Sequence, residues 1–149
     1  MTTTSWTVRT ASFDQLDPRT LYDVLRLRVD VFVVEQACVF GDLDGRDHET
    51  QATHLWLERD GEVLAYARIL PEPDGTTSIG RIVTHPAHRE NGLGAALVRE
   101  AMARIDGPMV LNAQSRLARW YAQFGFEVSG EPRFEDGIEH VPMRLDPAD

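Results

Sequence analysis

The stretch HPAHRENGLG, residues 85–94, joins a strand-like run that ends at Thr84 to a helical pattern that begins near Gly92. Unpaired backbone N–H groups converge at the start of a helix, and the helix dipole adds positive potential there. Gly92 and Gly94 let the backbone approach an anion closely, and Arg89 adds a charged, forked donor. The stretch therefore predicts a phosphate-binding loop at a helix start.

Two other phosphate motifs do not fit this stretch. No Gly-Lys-Ser or Gly-Lys-Thr follows it, so it is not a nucleotide-binding P-loop. A dinucleotide fingerprint needs a third glycine or alanine, and Leu97 stands at that position. The stretch also follows several strands in a row, whereas that fingerprint normally follows the first strand of its domain.

Upstream of the loop, three strand-like runs form a meander over residues 54–58, 62–70 and 76–84, with the tight-turn pair Asp60-Gly61 between the first two. An earlier run, residues 5–10, alternates like a first strand.

A first helix is predicted between that strand and the meander, because Asp17 and Pro18 supply an N-cap and a first-turn proline. Its predicted apolar stripe consists of Leu21, Leu25, Val29 and Phe32. Residues 37–51 break all periodicity and are rich in Gly and Asp, so they predict a loop long enough to serve a function.

Downstream of the loop the pattern is helical, then extended, then helical again. Residues 93–105 predict a helix and 109–113 a short buried strand, and the final strands are expected near 126–128 and 140–145. The second helical stripe consists of Leu117, Trp120, Tyr121 and Phe124. The order β-α-β-β-β-α-β-α-β-β predicts a single α/β domain over residues 1–149, with a mixed sheet.

Two motifs in this order resemble the GCN5-related N-acetyltransferase (GNAT) superfamily. Arg89-x-x-Gly92-x-Gly94 is similar to the pyrophosphate loop of that superfamily, and Tyr121, four residues before the pair Gly125-Phe126, is similar to its late helix. Four further stretches resemble the ElaA-type branch: FVVEQ (32–36), DLDG (42–45), AYARILP (65–71) and DGIEH (136–140). Glu139 departs from the proline expected there in that branch.

The resemblance implies an α/β GNAT fold, with a mixed central sheet of six to seven strands flanked by about four helices. It also implies an N-acetyltransferase that uses acetyl-CoA and transfers the acetyl group directly to the amine of a small-molecule or peptide acceptor. Carried over residue by residue, the expected cofactor-binding residues are Ile82, Val83, Thr84, Arg89, Glu90, Asn91, Gly92, Leu93, Gly94, Ala95 and Gln114.

Tyr121 is the expected general acid, because a phenol can donate a proton to a departing thiolate. Its place in the apolar stripe also allows a purely structural role. Glu35 and His140 are the candidate bases, and a chain of water molecules could serve instead. Glu35 could equally be a surface residue or an anchor for a substrate ammonium group.

The expected substrate-binding residues are Gln36, Arg68 and Arg81. Each arginine either lines the acceptor pocket or pairs with an acidic residue across the sheet. Two alternatives stay open: a CoA-binding sensor of the same fold without turnover, and an acyl-homoserine-lactone synthase, whose chains share a stretch similar to residues 32–36 but are longer.

The chain of 149 residues carries a net charge of −9, and every basic residue is arginine. This acidity argues against nucleic-acid binding. No apolar run approaches a bilayer span, no secretory signal is visible at residues 1–5, and the lone Cys38 fits a reducing compartment, so we expect a cytoplasmic protein without a membrane partner.

Residues 81–119 carry six arginines against three acids, and this positive charge would attract a polyanionic ligand. The segments on either side of these residues are acidic and would attract a cationic amine acceptor. The aspartates and histidines of residues 42–54 match no metal-ligand spacing, so no metal is expected. The oligomeric state stays open between monomer and homodimer.

Overall fold

The structure, a computed structural model, describes residues 5–148. Within that range eight strands form one sheet in the order β1-β2-β3-β4-β5-β8-β6, with β7 paired to β8 on the same side as β6. The strands are β1 (Thr7–Ala11), β2 (Thr53–Arg59), β3 (Glu62–Pro71), β4 (Thr77–Thr84), β5 (Met109–Gln114), β6 (Glu127–Val128), β7 (Arg133–Glu135) and β8 (Ile138–Leu145). The helices are α1 (Pro18–Val29), α2 (Leu93–Met102) and α3 (Ala118–Ala122).

The sheet is mixed, as the element order predicted. Only β4 and β5 pair in parallel among the described strands, and α2 supplies the crossover between them. The predicted α/β class is confirmed. The strand β7, which has three exposed residues and no buried face, is additional to the prediction, and three α-helices stand where about four were expected.

The two faces of the sheet are covered by different helices. One face packs against α2 through Leu93, Leu97, Val98 and Ala101, in a core that also contains Leu55 and Leu57 of β2. The other face packs against α1, with Trp56 of β2 and Tyr66 of β3 in a smaller core. The alternation of neighbouring β2 residues between these cores follows from the pleat of the strand.

The predicted apolar stripe of α1 is wrong in part. Leu21, Leu25 and Phe32 are half-buried, but Val29 is exposed, and the buried positions are Val24, Leu27, Arg28 and Val31. Relative to the predicted orientation, the helix is turned about its axis so that Arg28 faces the core. A hydrophobicity pattern assigns Arg28 to the solvent face, but the side chain is fully buried. Beyond α1, residues 30–35 continue as a wider π-helical segment that carries the chain toward the loop at 37–51.

Arg28 is buried because the predicted loop brings carboxylates to it. Its Nε donates to Asp42 Oδ2 at 2.9 Å, and its Nη1 donates to Asp47 Oδ1 at 2.6 Å. Its Nη2 also donates to the backbone carbonyl of Asp42. Burial alone would raise the pKa of Asp47, but the hydrogen bond and charge of Arg28 outweigh it and lower the pKa.

The same loop is held by two more arginines from the sheet. Arg68 of β3 donates to both oxygens of Asp44, at 2.7 and 2.9 Å, and to Asp47 at 3.0 Å. Arg81 of β4 lies 3.0 Å from Asp42 and 3.3 Å from Asp44. We call these six residues the arginine–aspartate cluster: Arg28, Asp42, Asp44, Asp47, Arg68 and Arg81.

A buried histidine adds a further hold on the loop. His54 Nε2 donates to the carbonyl of Asp47 at 2.9 Å, so its Nδ1 is the acceptor for the Tyr66 hydroxyl at 2.6 Å. Burial lowers the pKa of His54, which keeps the ring in this neutral form. The predicted loop is therefore irregular in backbone but fixed by buried polar contacts.

Replacing Arg28 by Met should lower the free energy of unfolding by about 3–5 kcal/mol, because it leaves the buried carboxylates of Asp42 and Asp47 without their main partner. Urea unfolding followed by tryptophan fluorescence measures the change. The matched control is Arg26→Met on the same helix, whose side chain is 72% exposed and which should change stability by less than about 1 kcal/mol. Equal effects of the two variants would contradict the assigned role of the buried charge.

Candidate active site

The strands β4 and β5 separate soon after they meet. They pair only at Thr77 with Met109 and at Ser78 with Val110, and then diverge toward their carboxyl ends. A β-bulge in β4 accompanies the divergence: Val83 lies opposite Tyr66 and Gly80 opposite Arg68, so β4 holds one residue more than β3. Arg81 lies in this bulge with a φ of 52°, a left-handed backbone that non-glycine residues rarely adopt.

The divergence opens a cavity of about 1150 Å³. Its walls come from the ends of β4 and β5, the π-helical segment, residues 38–46 and the β7–β8 hairpin. Beyond Ser78, β4 has a partner strand on one side only, so the unpaired backbone N–H and C=O groups of its other edge lie along the cavity. A cavity of this size can hold a ligand larger than a typical drug.

The cavity collects many of the residues that the sequence predicted for the site. Those that line it are Glu35, Gln36, Arg68, Arg81, Ile82, Val83, Thr84, Arg89, Gln114, Tyr121 and His140. They come from seven separate segments of the chain, and the fold brings them to one place.

A smaller cavity of about 270 Å³ lies at the start of α2. Its lining includes Glu90, Gly92, Leu93, Gly94 and Ala95 of the predicted loop, together with Trp120 of α3. Thr84 and Arg89 line both cavities, so the two are adjacent. Asn91 is exposed and lines neither cavity, so the structure does not place it with the other predicted loop residues.

The helix start has the features of an anion site. Gly92 is the N-cap of α2 with a φ of 74°, and no side chain caps it, so the first N–H groups of the helix are free. A Cβ on Gly94 would lie 3.5–3.6 Å from the Trp120 ring and the Thr84 hydroxyl, so this backbone runs close to both. These groups fit a pyrophosphate.

Arg89 is occupied by a carboxylate. Its Nη1 and Nη2 donate to the two oxygens of Glu35 at 2.7 and 2.6 Å. The hydrogen bond from Arg89 is the main cause that lowers the pKa of Glu35. A carboxylate with a lowered pKa is a weaker proton acceptor, so Glu35 is the poorer of the two candidate bases.

Tyr121 is 7% exposed, lines the large cavity and packs edge-on against Trp120. Burial raises the pKa of Tyr121 to about 12. Its hydroxyl therefore stays protonated at neutral pH and is available as a donor. The ring of Tyr121 belongs to the main core, and the residue also borders the cavity.

His140 has a geometry that suits a proton acceptor. Its Nδ1 donates to the carbonyl of Ile138 at 2.8 Å, because a carbonyl can only accept. In the neutral ring Nε2 is then the free acceptor. His140 pairs across the sheet with Gln114, whose side chain donates to Gln36 at 3.3 Å.

Arg68 and Arg81 both line the cavity, and both pair with acidic residues. The guanidinium of Arg81 also stacks 5.4 Å from the Phe40 ring. The partners come from the loop at 37–51 rather than from the sheet. Consequently the carboxylates at 42, 44 and 47 are neutralised by arginine and do not present free negative charge to an acceptor.

Glu62, His85 and His88 form the one cluster of metal-ligand type found in residues 5–148, with ligand atoms within 4.8 Å of one another. His85 Nδ1 accepts from the N–H of Ala87 at 3.0 Å, so in the neutral ring the proton is on Nε2. That is the nitrogen nearest Glu62, at 3.8 Å. A metal at Nε2 would require the proton to move to Nδ1 and break the bond from Ala87, so this donor set fits a metal poorly.

Several cavity residues were missed by the sequence reasoning. They are Cys38, Phe40, Asn112, Arg116, Arg133, Glu135 and Asp136. Cys38 Sγ lies 3.2 Å from the carbonyl of Asp136 and so joins the loop to the β7–β8 hairpin. The irregular loop was flagged by its lack of periodicity, but nothing in the pattern of the exposed hairpin marks it as a cavity wall.

Comparison with known proteins agrees with this geometry. The family model of the acetyltransferase (GNAT) domain matches residues 28–147. A UPF0039 protein of Mycobacterium tuberculosis is 45% identical over 133 residues, which cover 86% of this chain and 85% of the relative.

Two solved structures are similar over nearly the whole chain. An acyl-CoA N-acyltransferase from Pseudomonas aeruginosa has 38% identity and a TM-score of 0.87, covering 94% of this chain and 99% of the other. Escherichia coli ElaA has 33% identity and a TM-score of 0.88, covering 95% and 100%. The chain therefore belongs to the GNAT acetyltransferase family, in the ElaA-like branch that its motifs predicted.

More distant structures share the fold alone. One, from Salmonella typhimurium, was solved with its cofactor acetyl-CoA and has 21% identity and a TM-score of 0.73, covering 98% of this chain and 96% of the other. The AHL synthase LasI has 17% identity and the same TM-score, covering 95% and 90%. In the described part of the chain, no helix combines the length and apolarity that crossing a membrane requires.

Gly92 allows a charge test at the helix start. Gly92→Ala and Gly92→Glu should destabilise the fold equally, by about 1–2 kcal/mol, because both put a side chain on a left-handed backbone and a Cβ there meets open space. Only the glutamate should weaken coenzyme A binding, by at least about tenfold, because its carboxylate opposes the pyrophosphate. Urea unfolding and calorimetric titration separate the two effects. Equal affinity of both variants would mean that the pyrophosphate does not lie at this helix start.

Proposed function

We propose that this chain is an acetyl-CoA-dependent N-acetyltransferase that transfers the acetyl group directly to the amine of a small-molecule or peptide acceptor. One observation supports this most strongly: two adjacent cavities extend from an uncapped helix start to Tyr121 and His140. An anion site at one end, with a hydrogen-bond donor and a proton acceptor at the other, are the groups that acyl transfer from coenzyme A requires.

The cofactor end would hold the pyrophosphate through backbone groups. The free N–H groups at Leu93, Gly94 and Ala95 and the guanidinium of Arg89 are its donors. Ile82, Val83 and Thr84 border the space between β4 and β5, where unpaired strand backbone can bind the extended arm of coenzyme A. Gln114 borders the same space from β5.

In the proposed reaction, acetyl-CoA supplies the acyl group as an activated thioester. His140 Nε2 accepts the proton that the amine loses as its nitrogen bonds to the acyl carbon. Backbone N–H groups of β4 stabilise the negative charge that develops on the carbonyl oxygen, a contribution of roughly 3 kcal/mol for one well-placed donor.

The hydroxyl of Tyr121 interacts with the departing sulfur. With a pKa of about 12, its hydroxyl is a weaker acid than an ordinary thiol, whose pKa is about 8.5. Complete proton transfer to the thiolate is therefore unfavourable, and the hydroxyl acts mainly as a hydrogen-bond donor while negative charge builds on sulfur. Burial strengthens that donation, because competing water is scarce around the ring.

The test of the function is thiol release from acetyl-CoA across a panel of small amines, polyamines and peptides. We expect release that depends on an amine, and a kcat for Tyr121→Phe about 100-fold or more below that of the parent, with unchanged affinity for acetyl-CoA. The control is Tyr22→Phe, since Tyr22 is 69% exposed on α1 and should leave turnover unchanged. Cofactor binding without release for any amine would favour the CoA-binding sensor, and absence of cofactor binding would refute the proposal.

The base is assigned by a pair of variants. Because Nε2 of His140 is the free acceptor, His140→Gln should lower kcat about 100-fold or more and leave the affinity for acetyl-CoA unchanged. Glu35→Gln should keep most of kcat, since the Glu35 carboxylate is held by Arg89. Loss of turnover in Glu35→Gln, with turnover intact in His140→Gln, would assign the base to Glu35.

A further inference from the structure

Two predicted site residues with different roles are bound to each other. Arg89 borders both cavities and belongs to the proposed cofactor end, whereas Glu35 borders only the large cavity. Their side chains form a two-pronged ion pair, with N–O distances of 2.7 and 2.6 Å, across 54 positions of sequence. While this pair is closed, Arg89 is unavailable to a phosphate and Glu35 is unavailable to an amine.

The pair is built to exchange partners. The side chains are 41% and 43% exposed, so water screens their attraction, and an exposed pair of this kind changes a binding constant by no more than about fivefold. A pyrophosphate at the start of α2 offers Arg89 two phosphoryl groups beside free helix N–H groups. The anion is therefore the stronger partner, and Glu35 is the carboxylate that its arrival would displace.

The freed carboxylate would remain on the acceptor side. Glu35 ends the π-helical segment, and the next residue, Gln36, accepts from Gln114, the cross-strand partner of His140. Asp44, another carboxylate on the cavity wall, is already held by Arg68 and Arg81. Glu35 thus differs from Asp44, because its partner Arg89 is the residue that the pyrophosphate would bind.

We propose that Arg89 and Glu35 form a latch that couples the two substrates: the pyrophosphate of acetyl-CoA takes Arg89 from Glu35, and the freed carboxylate then holds the positively charged amine acceptor. This inference rests on the proposed function. Glu35 then positions the acceptor in its ammonium form. The ammonium loses one proton to water before it attacks, because only a neutral amine has the lone pair that bonds to the acyl carbon, and His140 takes the second proton as that bond forms. Because coupling is reciprocal, a bound acceptor amine also tightens cofactor binding.

The latch is tested by calorimetric titration of coenzyme A into the parent protein, Glu35→Gln, Arg89→Gln and the double variant. Glu35→Gln should bind coenzyme A about two- to fivefold more tightly, because the anion no longer competes with a carboxylate for Arg89. Arg89→Gln should bind about tenfold or more weakly. In the Arg89→Gln background, the gain from Glu35→Gln should vanish.

The matched control is Asp136→Asn, which removes one negative charge from the same cavity wall without touching Arg89. Any gain from this general charge effect should persist in the Arg89→Gln background. The latch is overturned if Glu35→Gln weakens coenzyme A binding, which would mean that Glu35 orients Arg89 for the phosphate. It is also overturned if the gain from Glu35→Gln survives the loss of Arg89.

The effect of the acceptor is tested by repeating the calorimetric titration in the presence of the amine that gives the fastest thiol release in the panel. That amine should tighten coenzyme A binding to the parent protein severalfold and leave binding to Glu35→Gln unchanged. If the parent binds coenzyme A and turns over but the amine tightens binding equally in both proteins, the latch fails and the proposed function stands. If the parent does not bind coenzyme A, the proposed function fails.

Discussion

Arg28 buries a full positive charge beneath the sheet, and the loop of residues 37–51 is organised by the need to compensate it. Asp42 and Asp47 supply that compensation from a loop without regular structure. The same carboxylates also engage Arg68 and Arg81, so the charge on α1 is tied to the central strands. The need to neutralise the buried charge of Arg28 thereby fixes the position of the loop relative to α1 and the sheet.

The arginine–aspartate cluster reaches the point where the sheet divides. Arg81 belongs to the cluster and also occupies the bulge of β4, with a left-handed backbone. A strained bulge persists only where its surroundings hold it, and the ion pairs of Arg81 with Asp42 and Asp44 are such a hold. The opening between β4 and β5 therefore depends on charges contributed by a loop about forty residues earlier in the chain.

The two ends of the cavity differ in how far the sequence could predict them. The helix-start end is encoded locally: a few glycines and one arginine at a strand-to-helix junction predict a backbone anion site, and the structure places Gly92 and Gly94 at an uncapped helix start. The fold class followed from the same local signals, since helical and extended periods alternate clearly. Tyr121 was predicted from its distance to Gly125-Phe126, again within one short segment, and the structure places it on the wall of the large cavity.

The acceptor end depends on contacts that no local pattern contains. A buried arginine in an amphipathic helix is assigned to the wrong face, as happened with Arg28, because its partners lie 14 and 19 residues away. In the bulge of β4 the left-handed residue is Arg81 and not its neighbour Gly80, so the sequence does not mark the position. The pairing of Glu35 with Arg89 joins residues 54 positions apart, and β7 is too short to show a period.

The arginines of the cavity wall have one more chemical consequence. Thioesters acylate neutral amines, and a lysine side chain close to a bound thioester would be an easy nucleophile. The 15 arginines of this protein, which has no lysine, carry guanidinium groups that stay protonated and do not attack acyl carbons. The arginines of the walls can therefore attract phosphate and carboxylate without presenting an amine of their own to a thioester.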